Sequence, residues 1–342
     1  MDRRTIVYYN SRTRRVIQAN RRHKSRVFKK VLLAGIFVAS IVGLKVFFDS
    51  PQVEQQANVL AQTSEKITET VVPKEIQEHP LQNVALPTDG QTAIGTTALG
   101  VIKRTDNEHQ APIASITKVI TALVLLDKHP LSAGEKGDTI TLNEKDLAYF
   151  NEYYSKLGTV TAVTVGGSMS YYESLQAMLL PSSNNMADTL VDRFFDNREA
   201  YLSYANDYLK KNGLDDTIVA DASGFSPESK STPSDLIKLG QLALRHPVIA
   251  EIVAQRSASL AVAGDVPNYN QLITEPDVIG IKPGATDEAG YCLLFAARIP
   301  TQDAREETVL VATIGHVDRP SYVVLLHKLL QDSRDAFLHT EN

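Results

Sequence analysis

The chain has 342 residues, of which 43% are hydrophobic and 22% are charged, and it carries a net charge of −5. These values are ordinary for a globular protein, and the length suits one large domain or two small ones. The single cysteine, Cys292, excludes an internal disulfide. It lies in an apolar stretch, where we expect it to be a small core hydrophobe.

The charge is distributed unevenly along the chain. Residues 1–30 contain eleven Lys or Arg and one acidic residue, which leaves 24 basic and 39 acidic residues in the rest. A basic terminus can bind nucleic acid. Here it precedes residues 31–48, an apolar run of 18 residues whose only charge is Lys45, and this run is just long enough to span a bilayer. We therefore predict a cytoplasmic tail at 1–30 and a transmembrane signal anchor at 31–48, with no nucleic-acid partner.

The positive-inside rule predicts a single-pass protein of the cell membrane, with a cytoplasmic N-terminus and an extracytoplasmic remainder. A cleaved signal peptide is the alternative, although the basic region is long and residues 49–52 (DSPQ) make a poor cleavage site. Residues 49–85 are rich in Gln, Glu, Thr and Pro. They indicate a polar spacer, with a short helix at 55–67 as an option.

A domain at residues 86–335 follows the spacer. In chain order, its predicted elements are a strand at 92–103, a helix after Pro112, a mixed region at 139–170, helices at 171–180, 186–195, 198–212 and 233–245, strands at 278–282, 290–298 and 308–314, and a closing helix at 320–331. One strand at the front, helices in the middle and strands near the end are typical of an antiparallel sheet covered by helices.

Three short segments carry candidate chemistry. Ser115 and Lys118 are three residues apart at the start of the predicted helix after Pro112, so they lie on one helical face. If that face borders a cavity, the lysine amine can take the serine proton and activate a weak nucleophile. The second segment is LLPSSNNMAD at 179–188, and the third is GIKPGATDEAGYC at 280–292.

Together these segments resemble the S-x-x-K, S-x-N and K-T-G motifs of penicillin-recognising serine enzymes. The surrounding residues narrow the resemblance to the D-alanyl-D-alanine carboxypeptidases, the low-molecular-mass penicillin-binding proteins, over roughly residues 85–332. The resemblance implies an α/β fold of the α+β type, like the β-lactamases and transpeptidases: a five-stranded antiparallel sheet with flanking helices and a helical subdomain. It also implies a serine-type carboxypeptidase of cell-wall synthesis that trims peptidoglycan pentapeptides, binds β-lactams and uses no metal or cofactor.

The resemblance also implies a role for each motif residue. Ser115 would be the nucleophile, Lys118 its base, and Ser182 the relay that passes the proton to the leaving amine. Asn184 would hold the substrate amide, and Lys282 would be a nearby cation that lowers the pKa of Lys118. The backbone N–H groups of Ser115 and Ala285 would form the oxyanion hole.

Position 283 departs from the family pattern. Pro283 replaces the threonine whose hydroxyl would bind the substrate carboxylate, and proline also cannot donate to a sheet ladder. Lys282 and Gly284 retain the rest of the motif. We expect Thr286 to supply a hydroxyl instead, and Arg319 to provide a charge-assisted clamp for the carboxylate.

Three other functions remain open at this point. A β-lactamase would share the motifs but needs a residue that activates water; Asp216 and Asp221 follow the second motif, without a glutamate in a suitable setting. A D-amino endopeptidase would use the same site with a longer leaving group. A non-catalytic wall-binding module would have lost activity, which Pro283 favours weakly and the intact motif residues oppose. The sequence leaves the oligomeric state open.

Overall fold

The computed structural model describes residues 79–338. The predicted tail at 1–30, the span at 31–48, the optional helix at 55–67 and most of the spacer at 49–85 lie outside these residues. Within residues 79–338, no helix combines the length and the apolar character needed to cross a membrane.

A five-stranded antiparallel sheet forms the centre of the domain, as predicted. The strands of this sheet are β1 (Gln91–Thr96), β2 (Gly100–Arg104), β9 (Val278–Thr286), β10 (Gly290–Pro300) and β11 (Glu306–His316). They lie in the order β2-β1-β11-β10-β9, so the first two and the last three strands of the domain meet in one sheet. The long strands β9, β10 and β11 lie at one side of the sheet, with β9 at the edge.

The sheet is buried on both faces because alternate side chains of its central strands point to opposite sides. On β10, Leu294 and Ala296 belong to the larger core, which the helices cover. Leu293 and Phe295 belong to the second core, on the opposite face. The helix that begins at Arg319 covers this second core with Leu326, Leu329 and Leu330.

Eight α-helices lie within the described residues, and most of them pack on the larger core. They are α1 (Thr117–Lys128), α2 (Glu144–Ser155), α3 (Tyr171–Leu179), α4 (Asn184–Phe194), α5 (Arg198–Lys211), α6 (Pro233–Arg245), α7 (Pro247–Val253) and α8 (Arg319–Leu338). Three small two-stranded sheets pair β3 (Ala111–Pro112) with β6 (Lys230–Ser231), β4 (Thr139–Thr141) with β5 (Ser168–Ser170), and β7 (Ser257–Leu260) with β8 (Gly264–Pro267).

The structure corrects several predicted boundaries. The single strand predicted at 92–103 is a hairpin, because Gly100 adopts a φ of +75° and turns the chain between β1 and β2. The mixed region at 139–170 contains α2, whose first turn is closed by reciprocal hydrogen bonds between Asn143 and Asp146. The strand predicted at 278–282 continues to Thr286, through Pro283.

Candidate active site

Ser115 lies in a tight turn before α1 rather than inside the helix. The turn is a 3₁₀ segment, Ala114–Ile116, and Ala114 adopts a φ of +45°. Gly224 packs directly against this turn: a Cβ atom on Gly224 would lie 1.8 Å from the carbonyl oxygen of Ala114. Only glycine fits at that point, since Gly224 also has a φ of +73°. The loop around Gly224 therefore fixes the position of the candidate nucleophile.

Lys118 lies in the first turn of α1 and is fully buried. Its Nζ donates to Ser115 Oγ at 2.9 Å, to Asn184 Oδ1 at 2.6 Å and to the carbonyl oxygen of Ser223 at 2.8 Å. An ammonium has three donors, so these three acceptors satisfy it completely. The first two motifs predicted from the sequence thus meet at one nitrogen atom.

Burial lowers the pKa of Lys118 from its ordinary value of 10.5 to about 7, although the negative charges of Asp221 and Asp188 oppose this shift. A buried amine is destabilised in its charged form because it loses the solvation of water. Near neutral pH, therefore, a large fraction of the molecules carry an unprotonated amine hydrogen-bonded to Ser115. That amine can accept the serine proton.

Lys282 is fully buried in β9, and its Nζ donates to the carbonyl oxygen of Pro283 at 3.1 Å. Burial lowers the pKa of Lys282 well below 10.5, and the nearby Lys118 lowers it further.

The backbone at Pro283 faces the free edge of β9. Pro283 pairs with Leu293, and a proline cannot take part in a pair that exchanges two N–H···O bonds. Because such pairs alternate with non-hydrogen-bonded pairs, Lys282 and Gly284 donate into the ladder, whereas positions 283 and 285 face away from β10. The N–H missing at Pro283 therefore costs the sheet no hydrogen bond.

A face of β9 packs against the turn that carries Ser115. A Cβ atom on Gly284 would lie 2.9 Å from the Ser115 nitrogen and 2.9 Å from the Ile113 carbonyl oxygen, so only glycine allows this approach. By the same alternation, the N–H of Ala285 points out from the free edge of β9. Ser115 and Ala285 both line the cleft.

Ser182 and Asn184 lie at the junction between α3 and α4. Both are nearly buried, and Ser182 adopts a φ of +63°, an uncommon conformation for a residue other than glycine. Within residues 79–338, Ser182 Oγ makes no hydrogen bond, although Ser182 lines the same cleft as Ser115. Asn184 is the first residue of α4, and its Oδ1 accepts from Lys118.

The cleft has two lobes that share Ser115, Thr159, Ala285 and Tyr291. One lobe, of about 530 Å³, lies beside Pro283 and Gly284 and reaches the exposed Arg319 at the start of α8. We name it the Arg319 lobe; its other lining residues include Ser182, Asn268, Tyr269, Gln271 and Tyr322. The second lobe, of about 600 Å³, we name the Asn184 lobe; Asn184, Gly158, Phe225, Thr286, Asp287 and Glu288 line it.

The structure does not bring Thr286 and Arg319 to the same lobe. Thr286 lines the Asn184 lobe, and its Oγ1 accepts from the Ala289 N–H at 3.1 Å in the turn between β9 and β10. Among the described residues, Arg319 makes no ion pair and no hydrogen bond. The guanidinium of Arg319 is thus available to an anion beside Ser115, whereas Thr286 supports the turn.

Sequence reasoning missed a buried polar cluster behind Lys118. It consists of Tyr153, Asp188, Asp221 and Ser223, none of which was assigned a role. Asp221 was considered only as a water-activating group, and the one available signal was the turn-forming sequence DASG at 221–224. Cys292 is buried as expected; burial raises the pKa of its thiol to about 12, which keeps it unreactive at neutral pH.

A family model described as D-alanyl-D-alanine carboxypeptidase matches residues 67–312. D-alanyl-D-alanine endopeptidases of Pseudomonas aeruginosa and Haemophilus influenzae are 28% and 30% identical to the chain, over 55% and 54% of its length and 60% and 61% of their own. The D-alanyl-D-alanine carboxypeptidase DacF of Bacillus subtilis is 26% identical over 57% of this chain and 50% of that protein. The chain therefore spans only part of the length of these curated relatives.

Solved structures share the fold. A Streptomyces DD-transpeptidase aligns with a TM-score of 0.64 and 21% identity, over 75% of this chain and all of that one. A D-alanyl-D-alanine carboxypeptidase from Mycobacterium tuberculosis aligns with a TM-score of 0.61 and 24% identity, over 73% of this chain and 93% of that one. At these identities the likeness shows the fold alone.

Two features are those of the penicillin-recognising serine enzymes. They are the antiparallel sheet covered by helices and the contact between Ser115 and Lys118. Within that class, the chain belongs to the D-alanyl-D-alanine carboxypeptidase family, whose model covers more than half of its residues.

Proposed function

We propose that the protein is a serine-type D-Ala-D-Ala carboxypeptidase that trims peptidoglycan stem pentapeptides and is acylated by β-lactams. The observation that carries the proposal is the Lys118 amine, 2.9 Å from Ser115 Oγ and with its pKa lowered to about 7. A general base is most effective when its pKa lies near the working pH. The family membership supports the same substrate.

In the proposed acylation, Lys118 Nζ takes the proton from Ser115 Oγ while Oγ attacks the carbonyl carbon of the penultimate D-Ala. The backbone N–H groups of Ser115 and Ala285 hold the oxyanion. The C–N bond then breaks, Ser182 passes the proton to the leaving amine, and the terminal D-Ala departs. Water hydrolyses the acyl ester on Ser115 and regenerates the hydroxyl.

The two lobes suit the two halves of such a substrate. Asn184 would hold the amide of the stem peptide, because its side chain lines one lobe with its Oδ1 fixed by Lys118. Arg319 lines the other lobe and would hold the terminal carboxylate. Because Thr286 lies in the Asn184 lobe, we no longer assign its hydroxyl to the carboxylate.

A second candidate function is the cleavage of D-amino crosslinks. The Arg319 lobe measures about 530 Å³ and opens towards Asn268, Tyr269 and Gln271, so it offers far more space than a single leaving alanine fills. Relatives named D-alanyl-D-alanine endopeptidase match over 54–55% of the chain, which favours the same reading. In an endopeptidase the longer leaving peptide would occupy this lobe.

Labelling with a fluorescent penicillin, followed by intact-mass measurement, tests the acylation. We expect one adduct on the wild type, none on Ser115→Ala, and an adduct on the matched control Cys292→Ala, because that thiol is buried. An adduct on Ser115→Ala would refute the assignment. Rates on a D-Ala-D-Ala pentapeptide and on a cross-linked dimer then separate the functions: preference for the dimer would establish the endopeptidase.

We further propose that residues 31–48 anchor the protein in the cell membrane, with the basic residues 1–30 in the cytoplasm and the catalytic domain outside. The apolar run behind a basic tail supports this arrangement. N-terminal sequencing of the mature protein and fractionation of cells test it. Recovery of a soluble secreted form that begins near residue 50 would show a cleaved signal peptide instead.

A further inference from the structure

The Asp221 carboxylate organises the loop behind Lys118. Its Oδ2 accepts hydrogen bonds from the Ser223 N–H at 3.3 Å, the Ser223 hydroxyl at 2.7 Å and the Phe225 N–H at 2.9 Å. Its Oδ1 accepts from the Ser229 hydroxyl at 2.6 Å. The carboxylate is 7% exposed, so these four donors replace nearly all of its contact with water.

This loop presents backbone carbonyl groups to α1. The Ser223 carbonyl accepts from Lys118 Nζ at 2.8 Å, and the neighbouring Ala222 carbonyl accepts from Thr121 Oγ1 at 2.7 Å. Gly224, the next residue, contacts the Ala114 carbonyl in the turn before Ser115. A shift of the loop would therefore move an acceptor of the base and the support of the nucleophile together.

The charge of Asp221 has no counter-ion of its own. Among the described residues it forms no ion pair, although buried carboxylates are usually paired. An asparagine has one acceptor oxygen, so it could accept the bonds made to Oδ2 but would lose the one that Ser229 donates to Oδ1. Aspartate therefore supplies a second acceptor and a negative charge, and that charge raises the pKa of Lys118.

We propose that Asp221 is a positioning residue for the reaction: its hydrogen bonds hold the Ser223 carbonyl against the Lys118 amine, and its negative charge acts on that amine. The proposal rests on the proposed function, in which Lys118 activates Ser115. Asp221 lines neither lobe of the cleft, so it acts on the reaction through Lys118 and through the loop that supports the turn before Ser115.

Other charged and titratable groups surround Lys118. Asp188 on α4 accepts from the Tyr153 hydroxyl at 2.7 Å and from Arg198 at 3.4 Å, and burial raises its pKa to about 6. Asp188 therefore becomes charged in the range where Lys118 titrates, and its charge is shared with Arg198. The charged and titratable groups near Lys118, besides Asp221, are Asp188 on α4, Tyr153 on α2, Arg198 and Tyr201 on α5, and Lys282 on β9.

Asp235 provides a matched control. It is also buried, and its Oδ2 accepts from the Asp216 N–H at 2.9 Å and the Thr217 hydroxyl at 2.9 Å. Unlike Asp221, it forms an ion pair, with Lys238 at 2.9 Å, and it does not figure among the charges that act on Lys118. Asp235→Asn thus removes a buried carboxylate that holds a neighbouring loop, without touching the base.

The experiment compares Asp221→Asn, Asp235→Asn and the wild type in the full chain. The first readout is the pH dependence of acylation by a penicillin, corrected for the folded fraction. We expect Asp221→Asn to move the acid limb to lower pH by roughly half a unit or more, because loss of a nearby negative charge lowers a lysine pKa. We also expect about a tenfold lower plateau, a typical loss for a poorly positioned catalytic group. Asp235→Asn should lower the melting temperature without moving the limb.

A second readout does not depend on activity. NMR of ¹³C-labelled lysine side chains, with the Lys118 signal assigned from Lys118→Met, measures the Lys118 pKa directly and should show the same downward shift. Should Asp221→Asn fail to fold, Ser229→Ala removes one donor from Asp221 and should shift the limb by a smaller amount. An unchanged Lys118 pKa in Asp221→Asn, or an equal shift in Asp235→Asn, would overturn the proposal. Absence of acylation in the wild type would instead overturn the proposed function.

Discussion

The lowered pKa of Lys118 predicts how acylation depends on pH. Only the unprotonated amine can take the Ser115 proton, so the acylation rate should follow the fraction of neutral Lys118. With a pKa of about 7, that fraction is about one half at pH 7 and falls to about one tenth at pH 6. The rate should therefore drop about tenfold for each further unit of acidification, and should level off above pH 8.

The same shift affects stability, and its magnitude follows from burial. The fall from 10.5 to about 7 corresponds to about 5 kcal/mol of destabilisation of the charged amine in the folded protein. The unfolded chain binds this proton more tightly, so the free energy of unfolding should rise as the pH increases from about 7 towards 10.5. The full penalty applies below pH 7, where Lys118 is charged in both states.

Stopped-flow acylation with a fluorescent penicillin between pH 5 and 9 measures the limb, and urea unfolding at the same pH values measures the stability. Lys118→Met, similar in length but without the amine, should lose at least about 100-fold in acylation rate. The unfolding free energy of Lys118→Met should also lack the rise above pH 7 that the titration of Lys118 causes. Any rise that remains in this variant comes from another group such as Lys282, so the variant distinguishes the two lysines. An acid limb centred above pH 9, or acylation of Lys118→Met at the wild-type rate, would refute the reasoning.

Three further predictions concern the surroundings of Ser115. Gly224→Ala should abolish penicillin acylation, because its Cβ would lie 1.8 Å from the Ala114 carbonyl oxygen. The control, Gly213→Ala, has a φ of +72° but open space around it, so it should lose only about 1–2 kcal/mol of stability and keep acylation. Arg319→Ala should reduce kcat/KM on a D-Ala-D-Ala peptide about tenfold or more and barely affect an amidated peptide; equal losses would place the carboxylate elsewhere. Pro283→Thr should raise kcat/KM by roughly 10- to 100-fold if the new hydroxyl binds the carboxylate, or leave it level, since one hydrogen bond to a charged group contributes about 1.5–3 kcal/mol. A large loss in Pro283→Thr would contradict this account of the lobe.

The parts of the site that the sequence predicted are those in which local spacing determines geometry. Ser115 and Lys118 are three residues apart, so the 3₁₀ turn and the first turn of α1 that follows it bring their side chains to one side. The sheet followed from the run of apolar segments after residue 278, which became β9, β10 and β11. Asn184 was predicted only through the resemblance, because its contact with Lys118 joins residues that are 66 positions apart.

The missing part depends on tertiary contacts between polar residues. Asp221 reads in the sequence as an ordinary turn residue, and only the fold brings its loop to α1, where the Ser223 carbonyl meets Lys118 across 105 positions. Tyr153 was missed because α2 was assigned to a mixed region. The capping pattern from Asn143 to Asp146 was the available signal for that helix.

Pro283 shows how an edge strand accommodates a change in a motif. The sequence suggested a cost to the sheet, because proline removes a backbone donor. The pairing with Leu293 instead places the missing N–H on the free edge of β9, where strand prolines are normally found. Its carbonyl faces the same edge and accepts from Lys282 Nζ. The substitution therefore removes one side-chain hydroxyl from the Arg319 lobe and leaves intact both the ladder to β10 and the close approach of Gly284 to Ser115. The edge of the sheet can vary at this position because the hydrogen bonds that hold β9 in place belong to the residues on either side.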